Sequence, residues 1–330
     1  MIEKVHVSNF KCIKAQTLDS LTPIVGIWGR NGSGKSSLLQ AIMWVSKNGG
    51  TYNNNGIYLK NPSNFIFGHD PVNNVCNVEV TLPGMATYQR KIGGGVPAID
   101  KTTSLDKVRY FPPWRHISNR SSQIDREITS NLGIQARDTH TFMHYFLHQL
   151  MGRIQRRDEE AIEIYDSINR WAEKFGFGPL LDAQEGNAQI RGTYFDKILN
   201  LDVDIFDGGF GGNSFLPILL EGYSFTDGIM LIEEPEISLH PAAQSEVLDF
   251  FIEMTKERNH QIIFTSHSEY MVKKIARLLN DGEVGSDLIS AYVAKKGDEN
   301  GTIFEKQDNN DLVSRFEKGQ DIILELTKRN

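Results

Sequence analysis

A glycine-rich run, GRNGSGKSS, begins at Gly29 and places Gly34, Lys35 and Ser36 in direct succession. The apolar residues before it favour a buried strand, and the residues after it have helical spacing. Glycines let backbone N–H groups turn toward an anion where a Cβ would clash, and a helix N-terminus adds its dipole. The spacing G-x-x-x-x-G-K-[ST] therefore predicts a loop that binds nucleotide phosphates.

Within this loop, we expect Lys35 to reach the β- and γ-phosphates and the Ser36 hydroxyl to ligate Mg²⁺. The full set of expected nucleotide contacts is Gly29, Arg30, Asn31, Gly32, Ser33, Gly34, Lys35, Ser36 and Ser37. Nucleotide kinases, GTPases and ATPase motors share such a loop, so the loop alone does not select a reaction.

Two adjacent acids, Glu233 and Glu234, close a short apolar run that is long enough for a buried parallel strand. A second buried-strand pattern, residues 261–268, ends in a polar cluster that contains His267. Ligands of α/β sheets bind at the carboxyl ends of strands, so these side chains are expected near the phosphate loop. Neighbouring buried carboxylates are costly unless a cation or proton balances them, and the Mg²⁺ of the loop is such a cation.

The chain resembles the ABC-type ATPases of the RecF/SMC/OLD-like group, within the AAA family ATPases. The resemblance runs through VHVSNFKCIK at 5–14, the glycine-rich loop, IMLIEEPEISLHP at 229–241 and IIFTSHS at 262–268. It implies an α/β P-loop NTPase fold, an ABC-ATPase head with a β-rich first lobe, a helical insertion and a second α/β lobe. It also implies that the chain binds ATP and Mg²⁺ and hydrolyses ATP.

The same resemblance assigns roles to individual residues. Glu233 helps to hold Mg²⁺, Glu234 is the general base, His267 is the switch histidine, and residues 238–241 match the D-loop. Many relatives have aspartate in place of Glu233, and the extra methylene changes the distance from acid to metal. A signature loop that completes the site of a second chain is assigned before the helical run SFLPILLEGY. Its expected nucleotide contacts are Gly211, Gly212, Asn213 and Ser214.

We expect a single head over residues 1–330, with a first lobe at 1–119, a mainly helical insertion at 120–186 and the remaining motifs at 187–330. Sustained heptads are absent, so no coiled-coil arm is expected. The residues after His267 lack the acidic pattern of the nuclease domain found in OLD enzymes, so no nuclease activity in cis is expected.

Two smaller features stay open. His140, His144 and His148 share one face of a predicted helix, but no nearby Cys or acid completes a metal site, so an exposed surface is the preferred interpretation. Arg115 follows a predicted strand, where a sensor of the γ-phosphate is expected in this group.

Composition excludes some functions. The 330 residues carry a net charge of −7, which rules out a uniformly basic nucleic-acid coat but not a local basic patch. The two cysteines are far apart and lack metal spacing, so a reducing compartment is expected. No signal-peptide core or membrane-spanning run is visible, which predicts a cytoplasmic protein and excludes transport.

The function that we expect is an ATP-dependent dimeric switch, in which a head-to-tail homodimer sandwiches ATP. The switch would control DNA engagement or an effector protein, such as a nuclease supplied in trans, in anti-phage defence. The alternatives are a DNA repair ATPase of the RecF type and a slowly hydrolysing scaffold for an effector. A small-molecule phosphotransferase is disfavoured, because the regions around Glu233 and His267 match ATPases instead.

Overall fold

The computed structural model describes residues 1–46, 66–67, 74–84, 86–93, 96–100, 107–113, 139–186, 189–197, 199–205, 210–297 and 301–318. The strands are β1 Lys4–Phe10, β2 Ile13–Leu18, β3 Ile24–Gly29, β4 Val75–Thr81, β5 Thr87–Gly93, β6 Val96–Asp100, β7 Val108–Phe111, β8 Leu180–Gly186, β9 Gln189–Asp196, β10 Leu201–Asp204, β11 Ile229–Glu233, β12 Gln261–Ser266, β13 Ile289–Lys296 and β14 Thr302–Lys306. The helices are α1 Lys35–Val45, α2 Thr139–Gln155, α3 Glu159–Lys174, α4 Phe210–Ser224, α5 Pro241–Arg258, α6 Glu269–Asn280 and α7 Asn309–Glu317.

The chain divides into two compact units, each assembled from separate stretches of sequence. The first unit comprises 1–112, 227–235 and 251–330, and the second comprises 113–226 and 236–250. Strand pairing accounts for this division, because β11 and β12 hydrogen-bond into the same sheet as β3 although long stretches of chain separate them. The single head with lobe boundaries at 119 and 186 stays a prediction.

A six-stranded sheet forms the centre of the first unit, in the order β14-β13-β3-β12-β11-β7. All neighbouring pairs are parallel except β13 with β14. Every residue of β3, β11 and β12 is buried, which explains why these strands appear in the sequence as continuous apolar runs. Parallel pairing brings the carboxyl ends of β3, β11 and β12 to one edge of the sheet.

The first unit also contains an antiparallel sheet, in the order β2-β1-β4-β5-β6. β4 alternates buried and partly buried residues, as expected for a strand with one face on the core. Helix α1 is almost entirely buried, and its apolar side chains join one hydrophobic cluster with residues of both sheets. This packing holds the helix that follows the glycine-rich loop in a fixed position.

The second unit contains an antiparallel sheet, in the order β10-β9-β8, together with α2, α3 and α4. Helix α3 is amphipathic, and its N-cap Asp158 accepts a hydrogen bond from the backbone of Ala161. The Phe250 ring packs edge to face with both Trp171 and Phe215, and the three rings form part of the core of this unit. Among the described helices, none is both long enough and apolar enough to cross a bilayer.

Candidate active site

The loop between β3 and α1 depends on glycine at two positions. Gly32 has a φ of 73° and Gly34 a φ of 96°, conformations that residues with a Cβ rarely adopt. A Cβ on Gly34 would also collide with the Thr302 hydroxyl and lie 2.7 Å from Cys12 Sγ. Thr302 donates a hydrogen bond of 2.9 Å to the Ser33 carbonyl, so β14 supports the loop from outside.

Lys35 is the first residue of α1, and its side chain is only 6 % exposed. Its ammonium group donates to the carbonyls of Gly29 at 2.9 Å and Arg30 at 3.1 Å. It also donates to His267 Nε2 at 2.9 Å. The loop therefore folds around its own lysine, and His267, which directly follows β12, contacts the same ammonium group.

Ser36 and Glu233 meet at the carboxyl end of β11. Ser36 Oγ donates to Glu233 Oε2 at 2.6 Å, and the glutamate is only 4 % exposed. Two predicted metal ligands, separated widely in sequence, therefore lie together in the folded chain. Hydroxyl and carboxylate oxygens are the donors that Mg²⁺ prefers, usually with one or two carboxylates and the phosphates of the substrate.

Three residues that the sequence analysis did not assign surround Glu233. Tyr110 on β7 and Gln40 on α1 both donate to Glu233 Oε1, the latter at 3.4 Å. Lys11, in the turn between β1 and β2, donates to Gln40 Oε1. Burial lowers the pKa of Lys11, and the nearby Glu233 charge raises it in part. Gln40 is a polar residue inside the apolar run of α1, which indicates that it has a polar partner in the core. The sequence does not identify that partner.

Glu234 follows β11 and has a φ of 45°. Left-handed backbone is strained for a residue with a side chain, and such strain is often found at functional sites. The backbone N–H of Glu234 donates to the Thr265 carbonyl at 2.9 Å, which holds this turn against β12. Its carboxylate lies 3.6 Å from His267 Nε2 and remains partly exposed, as a base that receives a proton from water requires.

His267 has a lowered pKa, first because burial disfavours its charged form and second because the Lys35 ammonium lies beside it. The Glu234 carboxylate acts in the opposite direction. The neutral ring accepts the hydrogen bond from Lys35. Because the folded-state pKa lies below the unfolded value, this group favours folding above the unfolded pKa. The advantage is lost as pH falls through the folded pKa.

Substitutions of the two neighbours should shift the pKa of His267 in opposite directions. Lys35→Gln removes a cation, so the imidazole pKa should rise, whereas Glu234→Gln removes an anion, so it should fall. Long-range proton–nitrogen NMR spectra of the nucleotide-free protein, recorded against pH, measure both shifts. Shifts in the same direction, or none, would show that His267 does not lie between these charges.

The residues present suit a nucleotide with its metal ion. Ser33 Oγ is buried and has no hydrogen-bond partner among the described residues. It belongs to the glycine-rich loop, so a phosphate oxygen bound there could serve as its acceptor. The site also contains the Lys35 ammonium, the oxygen atoms of Ser36 and Glu233, and a loop with no room for a Cβ at Gly34. These groups match the chemistry of nucleotide phosphates and their metal ion.

The predicted signature residues belong to the second unit. Helix α4 begins at Phe210, so Gly211, Gly212 and Asn213 lie in its first turn, and the side chain of Asn213 is outside the described part of the chain. The Ser214 hydroxyl is 1 % exposed and donates to the Ile237 carbonyl at 2.9 Å. Its hydroxyl is therefore already engaged within its own unit, next to the predicted D-loop.

The two smaller features of the sequence are not decided. Arg115 and the side chains of His140 and His144 are outside the described residues. Within the ranges that are described, no cluster of three or more His, Cys, Asp or Glu side chains has the arrangement of a metal site.

Two protein-family models match the sequence. The model described as an AAA ATPase domain matches residues 100–272, and the model described as an AAA domain matches residues 4–174. Each covers more than half of the chain, so the chain belongs to the AAA ATPase domain family. Comparison of the sequence with curated proteins gave no match.

The fold is similar to that of SMC head domains. An SMC head bound to the C-winged helix domain of ScpA has 15 % identity and a TM-score of 0.61, with 93 % of this chain and 97 % of that chain covered. A Pyrococcus furiosus Smc head with an extended coiled coil, bound to the C-terminal domain of ScpA, has 13 % identity and a TM-score of 0.59, with coverages of 96 % and 98 %. The Thermotoga maritima SMC head has 13 % identity and a TM-score of 0.50, with coverages of 93 % and 99 %.

These findings confirm the predicted fold class and the resemblance to ABC-type heads. The chain is an AAA ATPase domain protein whose fold is similar to that of SMC heads, with a parallel sheet whose carboxyl edge carries the glycine-rich loop. The identities to the SMC heads are low, so this similarity concerns the fold.

Proposed function

We propose that the chain hydrolyses ATP to ADP and phosphate with Mg²⁺ as cofactor. The observation that carries this proposal is the convergence of Lys35, Ser36, Glu233, Glu234 and His267 at neighbouring strand ends of one sheet. Bound Mg²⁺ would neutralise charge on the phosphates. The remaining chemistry falls to side chains of the chain itself.

In this proposal, Lys35 leaves the carbonyls of Gly29 and Arg30 and binds the β- and γ-phosphates. Glu234 accepts a proton from water as the water oxygen bonds to the γ-phosphorus and the bond to the bridging oxygen of ADP breaks. His267 loses Lys35 as its donor, and the Nε2–H form of its ring can then donate to the γ-phosphate. The distance of 3.6 Å between Glu234 Oε1 and His267 Nε2 supports these two roles.

We further propose that ATP joins two chains head to tail, with Gly211, Gly212, Asn213 and Ser214 of one chain completing the site of the other. A loop that enters a helix can present N–H groups and a helix dipole to a phosphate. The buried Ser214 hydroxyl has an acceptor in its own unit, so a contact from this residue would be made by its backbone or after a rearrangement.

A mixture of two inactive variants tests this head-to-tail arrangement. Lys35→Ala removes the phosphate charge, and Asn213→Arg should obstruct the signature loop without disturbing the buried Ser214. A heterodimer of the two retains one intact site, so an equal mixture should recover roughly a quarter of wild-type ATPase activity, measured as phosphate release.

The matched control is a mixture of Lys35→Ala with Glu234→Gln, which damages the same half of both sites and should stay inactive. Wild-type specific activity should also rise with protein concentration in the dilute range. If the first mixture stayed inactive and specific activity were constant on dilution, a self-contained monomeric site would replace the dimer.

The biological setting that we propose is control of a partner protein, such as a nuclease, in anti-phage defence. Two of the similar SMC heads are bound to domains of ScpA, which illustrates that a head of this fold can carry another protein. DNA repair of the RecF type is the alternative setting. Pull-down from the native host distinguishes them, since a toxic effector favours defence and a recombination protein or DNA favours repair.

A further inference from the structure

Ser36 contacts one carboxylate oxygen of Glu233, and the other oxygen is held by residues of β7 and α1. Tyr110 on β7 pairs in register with Leu231 on β11, and Glu233 lies two residues beyond Leu231. Residues two apart on a strand share a face, so Tyr110 and Glu233 lie on the same face of the sheet. The Tyr110 hydroxyl donates to Glu233 Oε1.

Gln40 reaches the same oxygen from α1. It lies four residues after Ser36, so the two side chains share one helix face. The Gln40 amide nitrogen donates to Glu233 Oε1 at 3.4 Å and to the Tyr110 hydroxyl at 3.3 Å. The Gln40 oxygen accepts from Lys11. An ammonium group only donates, so Lys11 fixes the amide with its oxygen toward the lysine and its NH₂ toward Glu233.

We propose that Tyr110 and Gln40, with Lys11 orienting Gln40, are positioning residues that hold Glu233 Oε1 and direct Oε2 toward the metal position beside Ser36. This inference rests on the proposed function. A glutamate has one more rotatable bond than the aspartate common in related ATPases, so its carboxylate needs more restraint to meet the metal in one geometry. Hydrogen bonds that fix a ligand in this way typically contribute strongly to metal affinity.

The experiment separates binding of the metal from binding of the nucleotide. A fluorescent β,γ-imido analogue of ATP is titrated into the full chain with Mg²⁺ and again with EDTA, and the ratio of the two affinities is the gain due to the metal. Tyr110→Phe removes one hydroxyl and should reduce this gain by about tenfold, while the affinity in EDTA stays unchanged. Gln40→Met should act in the same direction.

Two controls make the result specific. Tyr292→Phe changes another buried tyrosine of the same sheet and should leave the gain at the wild-type value. In a Glu233→Gln background, Tyr110→Phe should have no further effect on the gain, because the carboxylate that it positions is absent. Thermal unfolding of each variant shows whether it is folded. If Tyr110→Phe is not folded, Gln40→Met provides the test.

Three results would overturn the inference: an unchanged metal gain in both variants, an equal loss of affinity in EDTA, or an effect that persists without Glu233. The proposed function fails in a different way. If wild-type protein showed no affinity for the analogue, or no gain in affinity from Mg²⁺, the proposed function would be wrong. The positioning role of Tyr110 and Gln40 would then be wrong as well.

Discussion

Lys35→Ala should abolish measurable ATP binding. The ammonium group is the principal fixed charge in the loop, and charge-assisted hydrogen bonds to phosphate are about twice as strong as neutral ones. Lys35 also bridges the carbonyls of Gly29 and Arg30 to His267, so its loss leaves the loop without its central donor. We expect a loss of affinity of at least about 100-fold, measured by calorimetric titration with ATP and Mg²⁺.

The control for this prediction is Lys4→Ala, which removes an exposed lysine whose partner is Asp19 on the surface. It should bind ATP as wild type does, because exposed ion pairs contribute little. Since Lys35 is buried, thermal unfolding of Lys35→Ala must show a folded protein before binding is interpreted. Unchanged affinity in the folded variant would remove the phosphate-loop assignment.

Glu234→Gln should leave ATP binding intact and reduce turnover by about 10²- to 10⁴-fold. The amide has the shape of the carboxylate and tolerates the same left-handed backbone about equally, but it cannot accept the proton of the attacking water. Because hydrolysis is then slow while ATP stays bound, the variant should also accumulate in the ATP-bound dimer that we propose. Phosphate release measures the first effect, and light scattering with ATP measures the second.

Glu269→Gln is the matched control, because Glu269 is a partly exposed acid two residues beyond His267, and its salt-bridge partner is Lys273. It should hydrolyse ATP at the wild-type rate. Turnover of Glu234→Gln at the wild-type rate would exclude Glu234 as the base, and Glu233 or His267 would then have to be considered.

The parts of the site that the sequence predicted are those that local patterns encode. A buried strand, a glycine-rich turn and a helix start occur within a few residues around Lys35, so backbone conformation alone places the loop. Glu233, Glu234 and His267 each follow an apolar run, and parallel strands bring such ends to one edge. The sequence therefore predicted the types and positions of these residues, although not the distances between their side chains.

Strand order and helix packing decided the rest. Tyr110 meets Glu233 only because β7 pairs with β11, and Lys11 meets Gln40 only because α1 packs against β1. Hydrogen bonds between residues that are distant in sequence produce no periodic pattern in the sequence. A single polar residue in an apolar run does not specify its partner. The two units likewise follow from long-range pairing. Residues 113–226 belong to the second unit, and the chain then returns to the first unit, where β11 and β12 pair within the sheet of β3.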